Sequence, residues 1–262
     1  MAKKITTRHI ALMAIFAALY YILSLISPKI PLSVGGMSIS MEAMIATIFG
    51  LVLGPYLGAG TAFLGAFVTW SLGGMSPYGL PFLISPPINA LVTGFIFYRK
   101  WKWGFLAFGA LIVAFLFTPP LQPLTENAFV ALAVVADKVV ALLLILPLAL
   151  FGKKLSVAHG VVFYLLLAFV GNQADNMWGS FAFATPIVYN GIYGMTEVAV
   201  RGAFLISPLA YPAIRLIQAF IAMLIAVPLM KTLSGTQWLW RTKTILSPNE
   251  KDMEKPARTP QE

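Results

Sequence analysis

The fold is decided by HIALMAIFAALYYILSLIS at residues 9–27, PKIPLSVGGM at 28–37 and SISMEAMIATIFGLVLGPYLG at 38–58. The first stretch is apolar and long enough to cross a bilayer as a helix, which takes about 17–25 residues. No small-residue cleavage site follows it, so we expect a retained helix and not a signal peptide. The second stretch contains the prolines and glycines of a loop. The third is apolar again and is interrupted by Gly54 and Pro55, which predicts a tight turn between two helices.

The composition extends this interpretation to the whole chain. Of the 262 residues, 59% are hydrophobic and 10% are charged, and the only acids before residue 240 are Glu42, Glu126, Asp137, Asp175 and Glu197. So few charges cannot solvate a soluble domain. We therefore predict an all-α, polytopic integral membrane protein whose helical bundle is in contact with membrane lipid. The net charge of +9 does not indicate nucleic acid binding, because the basic residues collect on one predicted side of the membrane.

Apolar stretches predict eight membrane crossings, at about residues 9–27, 38–53, 56–73, 82–98, 103–118, 128–151, 157–171 and 206–230. With this count most basic residues fall on one side, and they are Lys3, Lys4, Arg8, Arg99, Lys100, Lys102, Lys153, Lys154, Lys231, Arg241 and Lys243. The opposite side keeps Lys29 and Arg201. The positive-inside bias therefore places both termini in the cytoplasm and the protein in the cell membrane. Residues 1–240 are predicted to form one transmembrane domain, and residues 241–262 a disordered, polar cytoplasmic tail.

Two patterns of small residues predict close helix packing. Ala11, Ala14 and Ala18 lie along one side of the first helix, and small residues four apart let another helix approach closely in lipid. This face docks either onto a partner subunit or onto another helix of the same protein. Gly54 and Gly58 have the same spacing, and we expect them to pack the second crossing against the third.

Polar and aromatic side chains are concentrated after the seventh crossing. Residues 172–205 are predicted to form a long outer loop that folds back as a lid or as part of a pocket. Carboxylates and amides orient a polar heteroaromatic solute, and aromatic rings stack on it. The alternative is an amphipathic loop at the level of the lipid headgroups. The candidate substrate-binding residues are Asn172, Asp175, Asn176, Trp178, Tyr189, Asn190, Tyr193, Glu197 and Arg201.

Charged residues also occur within or beside the crossings. Asp137 and Lys138 lie midway along one of them, where charges are costly and must face protein or water. Neighbours on a helix point about 100° apart, so we expect each to have a partner elsewhere and the two not to form a simple facing pair. Arg215 either snorkels or lines a cavity. Glu42 opens the second helix, where a carboxylate either offsets the helix dipole or contacts a ligand.

Several motifs of catalysis are missing from the sequence. There is no cysteine, and the two histidines, His9 and His159, lie at predicted cytoplasmic ends, so neither a metal site nor a cofactor is predicted. The sequence has no G-x-x-x-x-G-K-[ST], no H-E-x-x-H and no G-x-S-x-G. We therefore expect neither an ATPase nor another enzyme.

These features resemble the S component, the substrate-capturing membrane subunit, of energy-coupling factor (ECF) vitamin transporters. The stretches that carry the resemblance are Ala11-x-x-Ala14-x-x-x-Ala18, Pro28 to Pro31 with Gly35 and Gly36, Ile48 to Gly58, Ile214 to Ile221, and Val227 to Lys231. The family has a six-helix core. The resemblance therefore implies that the fifth and sixth crossings, residues 103–151, form an inserted helical hairpin.

The resemblance also implies a function. The protein would capture a small water-soluble vitamin or precursor near the outer face, through residues 28–40, residues 172–201 and the start of the last crossing. Ala11, Ala14 and Ala18 would contact a transmembrane coupling subunit. Separate cytoplasmic subunits would hydrolyse ATP, in agreement with the missing phosphate-binding motif.

Two other classes of function remain open at this point. A stand-alone secondary transporter would need a membrane-embedded acid for its coupling ion, and Asp137 is the candidate. An intramembrane enzyme is less favoured, and would have to use Asp137 together with Lys138.

Overall fold

The computed structural model describes residues 5–27, 29–31, 38–158, 160–233, 236, 238–240 and 244–245, with the backbone alone for residues 29–31, 38–40, 156–158, 207, 209 and 210. The helices are α1 Thr7–Ile26, α2 Ala46–Leu72, α3 Ser85–Phe97, α4 Trp101–Leu116, α5 Leu124–Ala158, α6 Gly160–Phe183, α7 Pro186–Tyr189 and α8 Glu197–Leu233. Short 3-10 helices span Met41–Ile45, Leu80–Phe82 and Pro119–Leu121. The predicted helical class is confirmed.

The described residues include five helical segments that are long and apolar enough to cross a membrane. They are Thr7–Ile26, Met41–Leu72, Leu80–Phe97, Leu124–Leu155 and Tyr211–Leu233. This agrees with a multi-pass membrane protein, because a bilayer accepts only segments whose backbone hydrogen bonds are internally satisfied. The count of eight crossings stays a prediction.

One short strand pair interrupts the helical pattern. Strands β1 Lys29–Pro31 and β2 Ser38–Ser40 pair in antiparallel register, with Ile30 opposite Ile39. The predicted start of the second crossing at residue 38 is therefore wrong, since helical structure begins only at Met41. Alternation in Ser-Ile-Ser suits a strand better than a helix, and this signal is too short to be distinguished from the apolar run that follows.

The chain reverses at Gly54 and Pro55. Gly54 has φ 80° and ψ 176°, a conformation that L-residues with a side chain rarely adopt. A Cβ added at Gly58 would lie 2.6 Å from the carbonyl oxygen of Phe49, whereas nine residues of straight helix would separate the two by about 13 Å. We therefore divide α2 into a first limb, residues 46–53, and a second limb, residues 55–72. The prediction that Gly54 and Gly58 pack these two crossings together is confirmed.

Glycines also set how closely α3 packs on this hairpin. A Cβ at Gly50 would overlap the carbonyl oxygen of Ala90, and one at Gly94 would lie 2.7 Å from the Cα atom of Pro55. Such close approach of backbones is what small residues permit between helices in lipid. Helix α3 is thereby fixed against both limbs of α2, with its polar residues facing the interior.

One end of the bundle collects the chain ends and several basic residues. The backbone N–H of Trp240 donates to the carbonyl oxygen of Val52 at 3.0 Å, and the ring of Trp240 meets the ring of His9 at a centroid distance of 5.1 Å. Arg99 Nε donates to the carbonyl oxygen of Thr244 at 2.8 Å. Arg8, whose guanidinium lies 5.8 Å from the Trp238 ring, is at this end as well.

Part of the predicted tail packs on this end. The backbone N–H of Ile245 donates to the carbonyl oxygen of Phe97 at 2.8 Å, and the side chains of Thr244 and Ile245 are buried. The remaining residues of the predicted tail at 241–262 lie outside the described residues. The chain ends and Arg99 thus share one end of the bundle, and its cytoplasmic orientation stays a prediction.

The predicted long loop at residues 172–205 is wrong. Helix α6 continues to Phe183 and α8 begins at Glu197, so the connection is limited to residues 184–196 and contains the short helix α7. Polar residues at 172–176 lower the local hydropathy, which indicates a loop when only the sequence is read. They lie on a helix because their side chains face other parts of the protein and not lipid.

Helices α4 and α5 pack beside the other long helices. Contacts join α1 to α2, α2 to α3, α3 to α6, and α6 to α8. Helix α4 packs on α3, α5 and α6, and α5 packs on α6 and α8. The order of contacts is that expected for an inserted pair beside a continuous core. The six-helix core itself stays a prediction.

Candidate functional site

An ion pair between α6 and α8 lies inside the bundle. Arg215 Nη2 is 3.3 Å from Asp175 Oδ1, and Arg215 Nη1 donates to Gln218 Oε1 at 2.8 Å. Asp175 is 4% exposed and Arg215 is 6% exposed. A buried ion pair overcomes the cost of desolvation only when its remaining polar atoms are also satisfied. Within the described ranges, Asp175 Oδ2 and Arg215 Nε have no hydrogen-bond partner.

Small residues bring the two helices close enough for this pair. Ala168 on α6 and Ala219 and Ala222 on α8 are buried together with Met44 from the first 3-10 helix. Alanine lets helix backbones approach closely. Asp175 and Arg215 lie about one to two turns from these alanines on the two facing helices, and therefore meet.

Glu42 adds a third charge to the same region. The 3-10 helix that carries it packs against α1, α3, α6 and α8, and its side chain is 4% exposed. It interacts electrostatically with Asp175 and with Tyr20. Among the residues that the structure describes, Glu42 Oε2 has no hydrogen-bond partner and no ion pair joins the carboxylate. A surface carboxylate that offsets a helix dipole would not be buried in this way.

A chain of amides links α2, α3 and α6. Thr47 Oγ1 donates to Asn89 Oδ1, and Asn89 Nδ2 donates to Asn172 Oδ1, both at 2.9 Å. The sequence analysis missed Thr47 and Asn89. The available signal was an amide in the middle of an apolar helix, where an unsatisfied amide would be costly.

Asp137 and Lys138 form an ion pair, with Nζ 2.9 Å from Oδ1. The expectation that these neighbours do not pair is wrong, because the four-carbon side chain of lysine can fold back across the angle between them. The expected partners elsewhere are also present. Gln173 Nε2 donates to Asp137 Oδ2 at 3.0 Å, and the Lys138 ammonium lies 5.7 Å from the centre of the Tyr211 ring.

The buried polar side chains of this region are here called the interior cluster, comprising Glu42, Asn172, Gln173, Asp175, Asn176 and Arg215. In the part of the chain that the structure describes, each has a buried polar atom without a hydrogen-bond partner: Glu42 Oε2, Asn172 Nδ2, Gln173 Oε1, Asp175 Oδ2, Asn176 Nδ2 and Arg215 Nε. Native proteins leave few such atoms, and each calls for a physical explanation. Among the described residues no group of three histidine, cysteine or acidic side chains could hold a metal ion.

The other predicted site residues lie at the end of the bundle opposite the chain termini. They are called the far-end group, comprising Trp178, Tyr189, Asn190, Tyr193, Glu197 and Arg201. Trp178 Nε1 donates to the carbonyl oxygen of Pro81 at 3.0 Å, and Tyr189 donates to Glu197 Oε1 at 3.3 Å. Asn190 is exposed, and its Nδ2 donates to the carbonyl oxygen of Met195 at 3.4 Å.

The remaining members of the far-end group also bond to the protein. Arg201 Nη2 lies 3.3 Å from Glu197 Oε2, and Arg201 Nε donates to the carbonyl oxygen of Pro120 at 2.7 Å. Tyr193 donates to the carbonyl oxygen of Tyr78 at 3.2 Å. Burial raises the pKa of Tyr193 to about 12, so its phenol remains a hydrogen-bond donor at neutral pH. These side chains connect loops and helix ends to one another.

The alanine face of α1 points away from the bundle. Ala11, Ala14 and Ala18 are exposed, whereas the buried Tyr20 packs beside Gly65 on the second limb of α2. Phe16 stacks on Phe49 at a centroid distance of 5.1 Å. Packing within the protein therefore does not account for the alanines, and their face is open to lipid or to another protein.

Comparison of the chain with protein-family models, curated proteins and solved structures gave no match.

Proposed function

We propose that this protein is a membrane-embedded substrate-capture subunit for a small water-soluble vitamin or precursor, resembling the S component of an ECF transporter. Uptake would be driven by a separate module that contains a transmembrane coupling subunit and cytoplasmic ATPase subunits. The ligand would be held by the interior cluster. This position differs from the outer loop expected from the sequence, and it retains Asn172, Asp175 and Asn176 from that expectation.

The observation that carries this proposal is the set of buried polar atoms without partners in the interior cluster. Leaving a buried donor or acceptor unsatisfied costs about 1–3 kcal/mol, and more when the group is charged. Such a cost is retained at functional sites, where a ligand supplies the missing partners. Asp175 Oδ2, Arg215 Nε and Asn176 Nδ2 come from two facing helices, so a single solute between α6 and α8 can contact all three.

The exposed alanine face supports the partner in the proposal. Lipid alone favours large apolar side chains at exposed positions, and Ile15 and Ile22 on the same helix are of this kind. A stripe of Ala11, Ala14 and Ala18 among them gives a surface on which a second helix can lie closely.

The secondary transporter and the intramembrane enzyme have less support. Both hypotheses depend on Asp137, whose carboxylate is engaged by Lys138 and Gln173. A coupling acid must exchange its partner for an ion, and an acid catalyst must reach a substrate. The interior cluster offers unpartnered groups for a ligand without breaking this ion pair.

Two measurements on the same preparation test the function. The protein is purified in mild detergent from cells grown in rich medium, its co-purifying proteins are identified by mass spectrometry, and released small molecules are analysed separately. We expect a membrane-spanning partner, nucleotide-binding subunits and a bound polar solute. Solute uptake by the protein alone in liposomes, driven by an ion gradient, would contradict the proposal and favour a secondary transporter.

A further inference from the structure

We propose that the ligand of the interior cluster is an organic monocation that also carries hydrogen-bond acceptors, and that Glu42 supplies the counter-charge. This inference rests on the proposed function only in that the interior cluster is taken as the ligand site. It concerns the charge of the ligand, which the proposed function leaves open.

The first step is the charge balance of the bundle interior. Asp175 pairs with Arg215 and Asp137 pairs with Lys138. Glu42, which is 4% exposed, has no such partner among the described residues. The region therefore contains three carboxylates and two cations. A buried charge is tolerated when it is paired, so one positive charge is missing beside Glu42.

The second step concerns the chemistry of the unpartnered atoms. Glu42 Oε2, Asp175 Oδ2 and Gln173 Oε1 are acceptors, and carboxylates are the strongest acceptors for a cationic N–H donor. Glu42 and Asp175 interact electrostatically, so a cation bound to one is attracted by the other.

The remaining unpartnered atoms are donors. Asn172 Nδ2, Asn176 Nδ2 and Arg215 Nε require acceptor atoms on the ligand. An inorganic cation would satisfy the carboxylates and leave these donors unsatisfied. Water could satisfy the donors but would not balance the charge. A nitrogen-containing ring with a delocalised positive charge and a carbonyl or ring-nitrogen acceptor meets both requirements.

Two other sources of the missing charge can be tested. Glu42 itself could be protonated, in which case the isosteric Glu42→Gln variant would bind ligand as the wild type does. Lys29 pairs in the strand register with Ser40, two residues before Glu42, so the Lys29→Gln variant belongs in the experiment.

The experiment uses native mass spectrometry of the full-length protein incubated with an equimolar mixture of solutes of different charge. The cations are thiamine, 1-methylnicotinamide and choline; the neutral solutes are nicotinamide, riboflavin and pyridoxine; the anions are nicotinate, biotin and pantothenate. The pair 1-methylnicotinamide and nicotinamide differs by a methyl group and one charge. We expect the wild type to retain a ring cation and to reject the neutral and anionic solutes.

The variants then assign the counter-charge. Losing a hydrogen bond to a charged group costs about 1.5–3 kcal/mol, so Glu42→Gln is expected to weaken binding of the retained cation by roughly ten- to hundred-fold. The control Glu197→Gln removes a carboxylate that already pairs with Arg201, and we expect its affinity to stay within about twofold of the wild type. Lys29→Gln is expected to bind as the wild type does.

The outcomes separate this inference from the proposed function. Retention of a neutral or anionic solute, or undiminished cation binding by Glu42→Gln, would overturn the assignment of a cationic ligand to Glu42. A wild type that prefers a neutral solute together with a Lys29→Gln variant that gains a cation would make Lys29 the counter-charge. Retention of no solute at all would contradict substrate capture itself. The charge preference of the wild type is read without any variant, so the test remains valid if Glu42→Gln does not fold.

Discussion

The interior cluster and the far-end group contain similar side chains but differ in how their polar atoms are used. In the far-end group, Arg201 pairs with Glu197 and donates to a backbone carbonyl, and Tyr193 donates to another. In the interior cluster, the comparable pair of Asp175 and Arg215 keeps one unpartnered atom on each side chain among the described residues. Polar residues that satisfy one another hold a structure together, whereas buried polar residues that do not are available to a ligand.

Burial sharpens the same contrast. Side chains of the far-end ion pair are 28% and 43% exposed, while those of the interior pair are 7% and 5% exposed. Water screens the first pair and leaves it worth about 0–1 kcal/mol. The second pair has lost its water, so removing one partner strands a buried charge.

The largest expected difference follows from breaking each pair on its arginine side. Arg215→Met leaves Asp175 buried and unpaired, which should lower the free energy of unfolding by about 3–5 kcal/mol. Arg201→Met should lower it by less than about 1 kcal/mol. Urea-dependent unfolding of both variants in detergent, followed by tryptophan fluorescence, measures the difference. Equal losses would mean that the interior pair is hydrated, and would remove the contrast between the two regions.

The next difference concerns two asparagines. Asn176→Ala removes a buried amide with an unpartnered donor, so ligand affinity should fall by about 1–3 kcal/mol, or roughly five- to hundred-fold. Asn190→Ala removes an exposed amide that donates to Met195, and affinity should change by less than about twofold.

Isothermal titration with the co-purifying ligand measures both asparagine variants, with the unfolding midpoint as a check on the fold. A larger loss for Asn190→Ala would return the site to the far-end connection at residues 184–196.

The smallest expected effect on binding comes from the alanine face. Ala14→Trp should block the close approach of a partner helix and lower uptake strongly, while ligand affinity of the isolated protein stays within about twofold. Leu19→Trp is the matched control, because Leu19 is also exposed on α1 and already large. Uptake in cells and affinity in detergent are compared for both. Parallel loss of uptake and affinity in Ala14→Trp would show that the face serves the fold of this protein and not a partner.

Much of the fold could be predicted from local patterns. The apolar runs predicted helices, and Gly54 with Pro55 predicted the reversal inside α2. The extents of α6 and α8 could not be predicted in the same way. Polar residues in α6 face the interior cluster, and only the packing of other helices reveals that they do not face water.

The candidate site could be predicted only in part for a similar reason. Asn172, Asp175 and Asn176 form a dense polar group along the sequence and were found. Glu42 and Arg215 were noted as separate residues, because tertiary packing alone brings them beside Asp175. The tyrosines of the far-end group had the composition of a binding loop. Their bonds to backbone carbonyls depend on loop positions that periodicity does not specify.

The central claim is tested most directly by comparing Asp175→Asn with Glu197→Gln in one titration of the same ligand. Each variant removes one charge from an Arg–carboxylate pair without changing the shape of the side chain. We expect Asp175→Asn to bind at least about tenfold more weakly than the wild type, because the loss of a charged partner costs roughly 1.5–3 kcal/mol. Glu197→Gln should bind within about twofold of the wild type. Unchanged affinity in Asp175→Asn, together with a clear loss in Glu197→Gln, would contradict the assignment of the ligand to the interior cluster.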